Sequence, residues 1–154
     1  MVTSINKLKL QQTIKSEVSI SGIGLHSGLE CNVTFKPASS NFGIKFKRVD
    51  INGMPEIDAS IENVIDTTRG TTIGVNNIEV HTVEYVLAAI SGLDIDNLLI
   101  ELDNVEPPIL DGSSKPYVDL FLKAGFKELE SHRIELVIDE TITYSNPKSG
   151  VDIH

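Results

Sequence analysis

The sequence predicts an α+β domain in which two helices pack on a mixed, largely antiparallel sheet. Three observations predict it. In the first half, apolar residues recur at every second position, the pattern of half-buried strands. At residue 82 the period lengthens to that of a helix, and a second helical stretch follows residue 114. Between the two lies a single apolar run, NLLIEL at 97–102, so the helices flank a strand.

Taken in order, Val18 and Ile20 alternate in EVSIS, Cys31, Val33 and Phe35 in ECNVTFK, and Ile44 and Phe46 in GIKFK. Each set gives a strand one buried face. TTIGVNNIEV reads as a hairpin, because Asn76 and Asn77 tolerate the positive φ values of a two-residue turn. Val83, Val86, Leu87 and Ile90 fall on one face of a helix, and Gly92 stands where a left-handed cap would end it. The NLLIEL run has strand length and the continuous apolar character of a strand covered on both sides. In EPPILDGSSKP the prolines enforce an extended segment and Asp-Gly turns it. Ser113 or Ser114 then offers an N-cap, with Pro116 in the first helical turn. This helix carries Val118, Phe121 and Leu122 on one side and is predicted to end at Gly125. RIELVIDETITY, 133–144, returns to strand alternation, and GVDIH begins another alternating segment after the NPKSG turn. That last strand has no partner in sequence, which predicts a longer parent chain.

With 154 residues, 40% of them hydrophobic and 23% charged, the chain can bury a real core and is expected to be globular. The net charge of −9 excludes a nucleic-acid partner, which needs clustered Lys and Arg. There is no run of about 18 apolar residues to span a bilayer, and MVTSINKLKLQQ lacks the apolar stretch of a secretory signal. Cys31 is the one cysteine and points to a reducing compartment, so a cytoplasmic location is expected. His26, His81, His132 and His154 are dispersed, without HExxH or a cysteine pair, so no metal spacing is present.

Candidate chemistry gathers in three stretches. In VHTVEYVLAAI, residues 80–90, Tyr85 lies nearly opposite the Val83–Ile90 face of the helix. Its neighbours there, Thr82, Ala88 and Ala89, are small and uncharged where a solvated helix would carry charges. The helix is therefore predicted to be covered on both sides, by another layer of this domain or by a partner domain. Glu84 sits at the edge of that back face, where the helix dipole favours its ionised form by about 0.3–1 kcal/mol. It reads either as a first-turn acid complementing the dipole or as a site carboxylate. GIGLHSG, 22–28, packs three glycines around His26 and reads as a strand end, or as a tight turn presenting a histidine at the lip of a site. DTTRGTT, 66–72, is a solvated loop or one that lines a polar ligand.

In order and spacing, GIGLHSG, DTTRGTT, VHTVEYVLAAISGLDIDNLLIEL and EPPILDGSSKPYV resemble the N-terminal half of the UDP-3-O-acyl-N-acetylglucosamine deacetylases, the zinc amidases of lipid A biosynthesis. The resemblance runs from about residue 7 to 145. It implies one half of a two-domain deacetylase, with 1–132 as domain I and 133–154 as the truncated start of the second domain. The active site would lie between the two. It implies that Glu84 is the general base acting on zinc-bound water, and that His26, Thr67 and Thr68 bind substrate. Tyr85 occupies the position where the family has a zinc-ligating histidine, and the other two ligands belong to an H-K-x-x-D motif that this chain does not contain. A phenol must be deprotonated to bind a metal well, which near neutral pH costs about 4 kcal/mol. No metal ligand is therefore expected within this chain. Zn2+ would be a cofactor of the full-length family that the chain does not retain, and the fragment would be inert alone. Its implied partners are UDP-3-O-acyl-N-acetylglucosamine together with the second domain, and self-association of an exposed interdomain face is a further expectation. The alternative is a catalytically silent paralogue that acts as a binding or assembly module.

Overall fold

In the computed structural model, which describes residues 9–134 and 140–153, the alternating residues of the first half face inward. The chain opens with β1 (Leu10–Ile14), β2 (Val18–Ile23), β3 (Glu30–Pro37), β4 (Ile44–Arg48) and β5 (Glu56–Asp58). A 3-10 turn leads into β6 (Val64–Asp66), β7 (Thr72–Val75) and β8 (Ile78–Val80). Then come α1 (Glu84–Gly92), β9 (Leu98–Leu102), α2 (Lys115–Ala124), β10 (Phe126–His132), β11 (Tyr144–Asn146) and β12 (Val151–Ile153).

Five strands in the order β2-β3-β9-β4-β5 form the main sheet, with every pairing antiparallel except β4 with β9. Ile100 lies opposite both Phe35 and Phe46, so three fully buried side chains form a row across the central strands. The predicted double cover of β9 is not what forms. Leu98, Ile100 and Leu102 are fully buried, whereas Leu99 and Glu101 are half-buried. The outer face of the sheet carries charges instead, with Lys36–Glu101 at 2.7 Å and Lys45–Asp58 at 2.6 Å. One dry face and one wet face is the usual state of an antiparallel sheet.

Both helices contribute to the core on the inner face. Phe35 meets Tyr117 and Phe121 of α2 edge-on, with ring centroids 6.0 and 4.8 Å apart. This corrects the predicted face. Phe121 is buried, but Val118 is only half-buried and Leu122 is 54% exposed, while Tyr117 and Ala124 fill the core. A tyrosine can take that place because its hydroxyl donates to the Pro108 carbonyl, leaving no buried polar group unpaired. Ser114 is the N-cap residue without a side-chain cap bond, and the Ser113 hydroxyl instead accepts from the Lys115 N–H at 3.1 Å. Gly125, at φ 70°, ends α2 as predicted.

α1 buries Val83, Val86 and Ile90, and Leu87 is half-buried. Ala89 is also buried, whereas Ala88 is exposed, so the small-residue side is covered only in part. Gly92 is not the cap; it remains inside the helix. Asp94 takes the left-handed conformation at φ 56°. Its N–H donates to Ser91 and that of Ile95 donates to Ile90, the paired bonds that close a helix end. Aspartate tolerates this conformation, and here Lys9 and Arg133 hold its carboxylate.

The β7–β8 hairpin turns at Asn76 and Asn77, with φ 52° and 64°, as predicted. The antiparallel β1–β10 ribbon was not legible. Buried Gln11 and Thr13 interrupt its apolar pattern, and they are satisfied: Gln11 Oε1 accepts from Asn97 at 3.0 Å, and Thr13 Oγ1 accepts from the Ala38 N–H at 3.1 Å. Of the strand predicted over 133–144, residues 135–139 lie outside the described residues, and 133–134 and 140–143 are not strand. The final alternating segment has a partner after all, since β12 pairs with β11 from Tyr144↔Ile153 to Asn146↔Val151. Among the described residues, no helix is long and apolar enough to cross a membrane.

Candidate functional site

Where β2 ends, the chain makes a tight turn around a carboxylate from the far side of β9. Glu106 is fully buried. Its Oε1 accepts from the Thr82 hydroxyl at 2.7 Å, its Oε2 accepts from the Ser27 N–H at 2.7 Å, and the His26 N–H reaches both oxygens at 3.1 and 3.0 Å. Burial pushes this carboxyl's pKa up, but the hydrogen bonds from Thr82, Ser27 and His26 outweigh it and hold the group below the ordinary carboxylate range. The turn can close this tightly only on glycine. A Cβ at Gly24 would stand 2.3 Å from Ser27 Oγ and 2.6 Å from Glu106 Oε2.

The turn aims His26 at the 66–72 loop. Its Nε2 lies 3.0 Å from the Arg69 carbonyl. A carbonyl only accepts, so Nε2 carries the proton and Nδ1 is left as an acceptor when the ring is neutral. The other end of that loop is held by Glu84, whose Oε2 accepts from the Thr71 N–H at 2.9 Å. Gly70 lies directly against this carboxylate, where a Cβ would be 3.1 Å from Glu84 Oε1 and 3.4 Å from Thr82 Oγ1.

Between Glu106 and Glu84 stands Thr82, buried and left-handed at φ 54°. That conformation costs a β-branched residue about 1–3 kcal/mol. It bends the chain so that Val83 N–H meets the Thr71 carbonyl at 3.2 Å and α1 begins at Glu84.

Beside these residues opens a cavity of about 540 Å³, lined among others by His26, Asp66, Thr68, Arg69, Gly70 and Thr82. Glu84 is not among the lining residues, but it lies against one of them, Gly70. His26 and Thr68 are therefore brought together, while Thr67 is exposed and is not among the lining residues. The Thr68 hydroxyl and N–H both donate to Asp66 Oδ1, at 2.6 and 3.1 Å, and hold that carboxyl below its usual range. His81 precedes the helix cap residue Val83, lines the cavity and meets Glu79 at 3.0 Å. Glu106 was missed altogether, because a Glu before two prolines carries no periodic signal.

Tyr85 is half-buried and packs against the core. Among the described residues, no three His, Cys, Asp or Glu side chains come together as a metal-holding group. A phenol beside one carboxylate does not by itself fit the zinc ion that the resemblance implies. What this chain does assemble is an oriented imidazole and a polar loop around an open cavity, with a carboxylate steadied by a backbone amide against the loop. These groups can exchange a proton with a ligand and hold polar parts of it.

The UDP-3-O-acyl N-acetylglycosamine deacetylase family matches residues 11–154. The chain is 54% identical over 143 residues to the bifunctional enzyme LpxC/FabZ of Chlorobaculum tepidum, covering 93% of this chain and 31% of that enzyme. It is 43% identical over 143 residues to the bifunctional enzyme LpxC/FabZ of Porphyromonas gingivalis, again 93% of this chain and 31% of that one. Against the UDP-3-O-acyl-N-acetylglucosamine deacetylase of Geotalea uraniireducens, identity is 42% over 136 residues, 88% of this chain and 44% of that protein. The chain thus spans less than half the length of these relatives.

Proposed function

The chain belongs to the UDP-3-O-acyl N-acetylglycosamine deacetylase family, and from that premise we propose that it forms the first domain of a zinc-dependent deacetylase of lipid A biosynthesis. The substrate is UDP-3-O-acyl-N-acetylglucosamine, and the bond cleaved is that of its N-acetyl group. Residues 1–132 make domain I, and a second domain starts near 133. Arg133, at the proposed boundary, itself ties into the first unit through Asp94 at 2.8 Å and Asp96 at 2.7 Å.

Glu84 is the general base. Its carboxylate takes a proton from the water whose oxygen attacks the acetamide carbonyl, and returns it to the leaving nitrogen as the C–N bond breaks. Acetate and a free amine result. His26 and Thr68, with Thr67 on the same loop, hold the polar portion of the substrate. The observation that carries this reading is the Thr71 N–H bond to Glu84, which fixes the carboxylate beside Gly70, one of the residues that line the cavity with His26 and Thr68. In the protein joined to its second domain, Glu84→Gln is expected to slow acetate release about 10²–10⁴-fold without changing the thermal midpoint. Undiminished release would overturn the assignment.

Tyr85 favours a second reading, a silent relative that binds the nucleotide sugar or a partner without cleaving it. Substrate bound by the joined protein with no acetate released would select that reading. On the first reading the protein works in the cytoplasm, and the 154-residue chain alone retains no stoichiometric zinc and releases no acetate. Self-association of an exposed interdomain face is its companion expectation, read by sedimentation.

A further inference from the structure

We propose that Glu106 is a positioning residue, a buried carboxylate that sets His26 and Glu84 in register with each other about the 66–72 loop. The inference rests on the roles proposed above for those two residues. Its support is the geometry of a single junction. On one side, both carboxylate oxygens take the His26 N–H and Oε2 takes the Ser27 N–H. On the other, Oε1 takes the hydroxyl of Thr82, two residues before Glu84. The two sides meet again at the 66–72 loop, where the His26 ring binds the Arg69 carbonyl and Glu84 binds the Thr71 N–H. The result is a closed circuit: Glu106, His26, Arg69, Thr71, Glu84, Thr82 and back to Glu106.

A structural ion would explain burial of a carboxylate by pairing it with Lys or Arg. No such pair to Glu106 exists among the described residues; its partners are two backbone amides and the hydroxyls of Thr82 and Ser27, all from segments that carry site residues. Thr82 is also the strained residue of the circuit, and its left-handed φ of 54° persists where surrounding bonds over-determine it. The Glu106 bond is one of these. Groups that hold reacting side chains in this way matter for rate because a misplacement of about 1 Å can cost about a hundredfold.

Glu106→Gln keeps the shape but replaces one accepting oxygen with an NH₂ that cannot accept from an amide. Thr82→Ala removes only the link toward Glu84, and Thr82→Ser retains it. In the joined protein, Glu106→Gln is expected to lower kcat/KM for acetate release about tenfold to a hundredfold, through both kcat and KM. Thr82→Ala is expected to lower mainly kcat, Thr82→Ser to restore it, and the double variant to be no worse than Glu106→Gln alone. A lower thermal midpoint with kcat and KM unchanged well below it would reduce Glu106 to a structural role and overturn the proposal. A parallel measurement needs no catalysis: the amide resonances of His26 and Thr71 in the 154-residue chain. Both are expected to move in Glu106→Gln, and a Thr71 amide that stays in place in the folded variant also overturns the proposal. If the joined protein releases no acetate at all, the proposed activity fails, and the Thr71 amide still decides whether Glu106 registers the two sides.

Discussion

Thr71 donates its backbone N–H to Glu84 Oε2 at 2.9 Å, so the candidate base is steadied by a loop rather than by its own helix. The loop comes that close because Gly70 has no side chain. An added methyl would stand 3.1 Å from Glu84 Oε1, near enough to displace either the carboxylate or the loop. Gly70→Ala is therefore expected to separate stability from activity. The lost backbone freedom of the unfolded chain favours folding by about 0.4–1 kcal/mol, which offsets the steric cost. Acetate release by the joined protein should fall about tenfold while the thermal midpoint stays the same. A variant with full activity would show that the Glu84 position tolerates a shift of several tenths of an ångström.

Tyr85 poses a separate question, because the resemblance puts a zinc-ligating imidazole at its position. Neutral imidazole binds the metal without the deprotonation that a phenol needs, about 4 kcal/mol near neutral pH. In the joined protein, Tyr85→His is expected to raise zinc content, measured by metal analysis, and to raise acetate release at least tenfold. A gain in neither would show that the residue at 85 is not what limits the site.

The elements legible in the sequence were those whose burial is apolar and periodic. Cys31, Val33 and Phe35 declared β3, and Val83, Val86 and Ile90 declared α1. What stayed hidden was built from polar groups satisfied at long range. Gln11 and Thr13 break the alternation of β1, because their partners, Asn97 and the Ala38 amide, lie far along the chain. Tyr117 entered the core by virtue of one carbonyl, and so turned α2 away from its predicted face. At the site, His26, Thr68 and Glu84 were visible as residue types in suggestive stretches. Glu106 was not, since its meaning lies in three partners from two other segments.

The helix end at Asp94 makes a prediction in acid. Hydrogen bonds from Lys9 and then Arg133 hold this carboxyl at about 2, below its ordinary value of 3.8. The native state thus keeps the group ionised where the unfolded chain protonates it. Its stabilising contribution is present in full above about pH 4 and is lost as the pH falls toward 2. Asp94→Asn tolerates the same left-handed backbone and removes only the charge. The difference in thermal midpoint between the two proteins should narrow as the pH falls from about 5 to 2. A constant difference would assign the effect to backbone conformation instead.

In alkali the buried thiol governs. Burial, aided by the charge of Asp103, raises Cys31 from 9.0 to about 12. Tyr117, fully buried, has its phenol pushed up by burial as well. Both groups ionise more readily in the unfolded chain, so the folded state binds more protons above about pH 9. Stability is complete below that pH and declines as the pH rises toward 12. The urea midpoint should therefore be lower at pH 10.5 than at pH 8, and Cys31→Ala should reduce that drop although it lowers both midpoints by opening a small cavity. Because thiolate is the reactive form and Cys31 is inaccessible, a thiol reagent at pH 8 should modify the folded chain far more slowly than the urea-unfolded one. Equal rates would mean that β3 opens readily, and the alkaline loss of stability would then need another source.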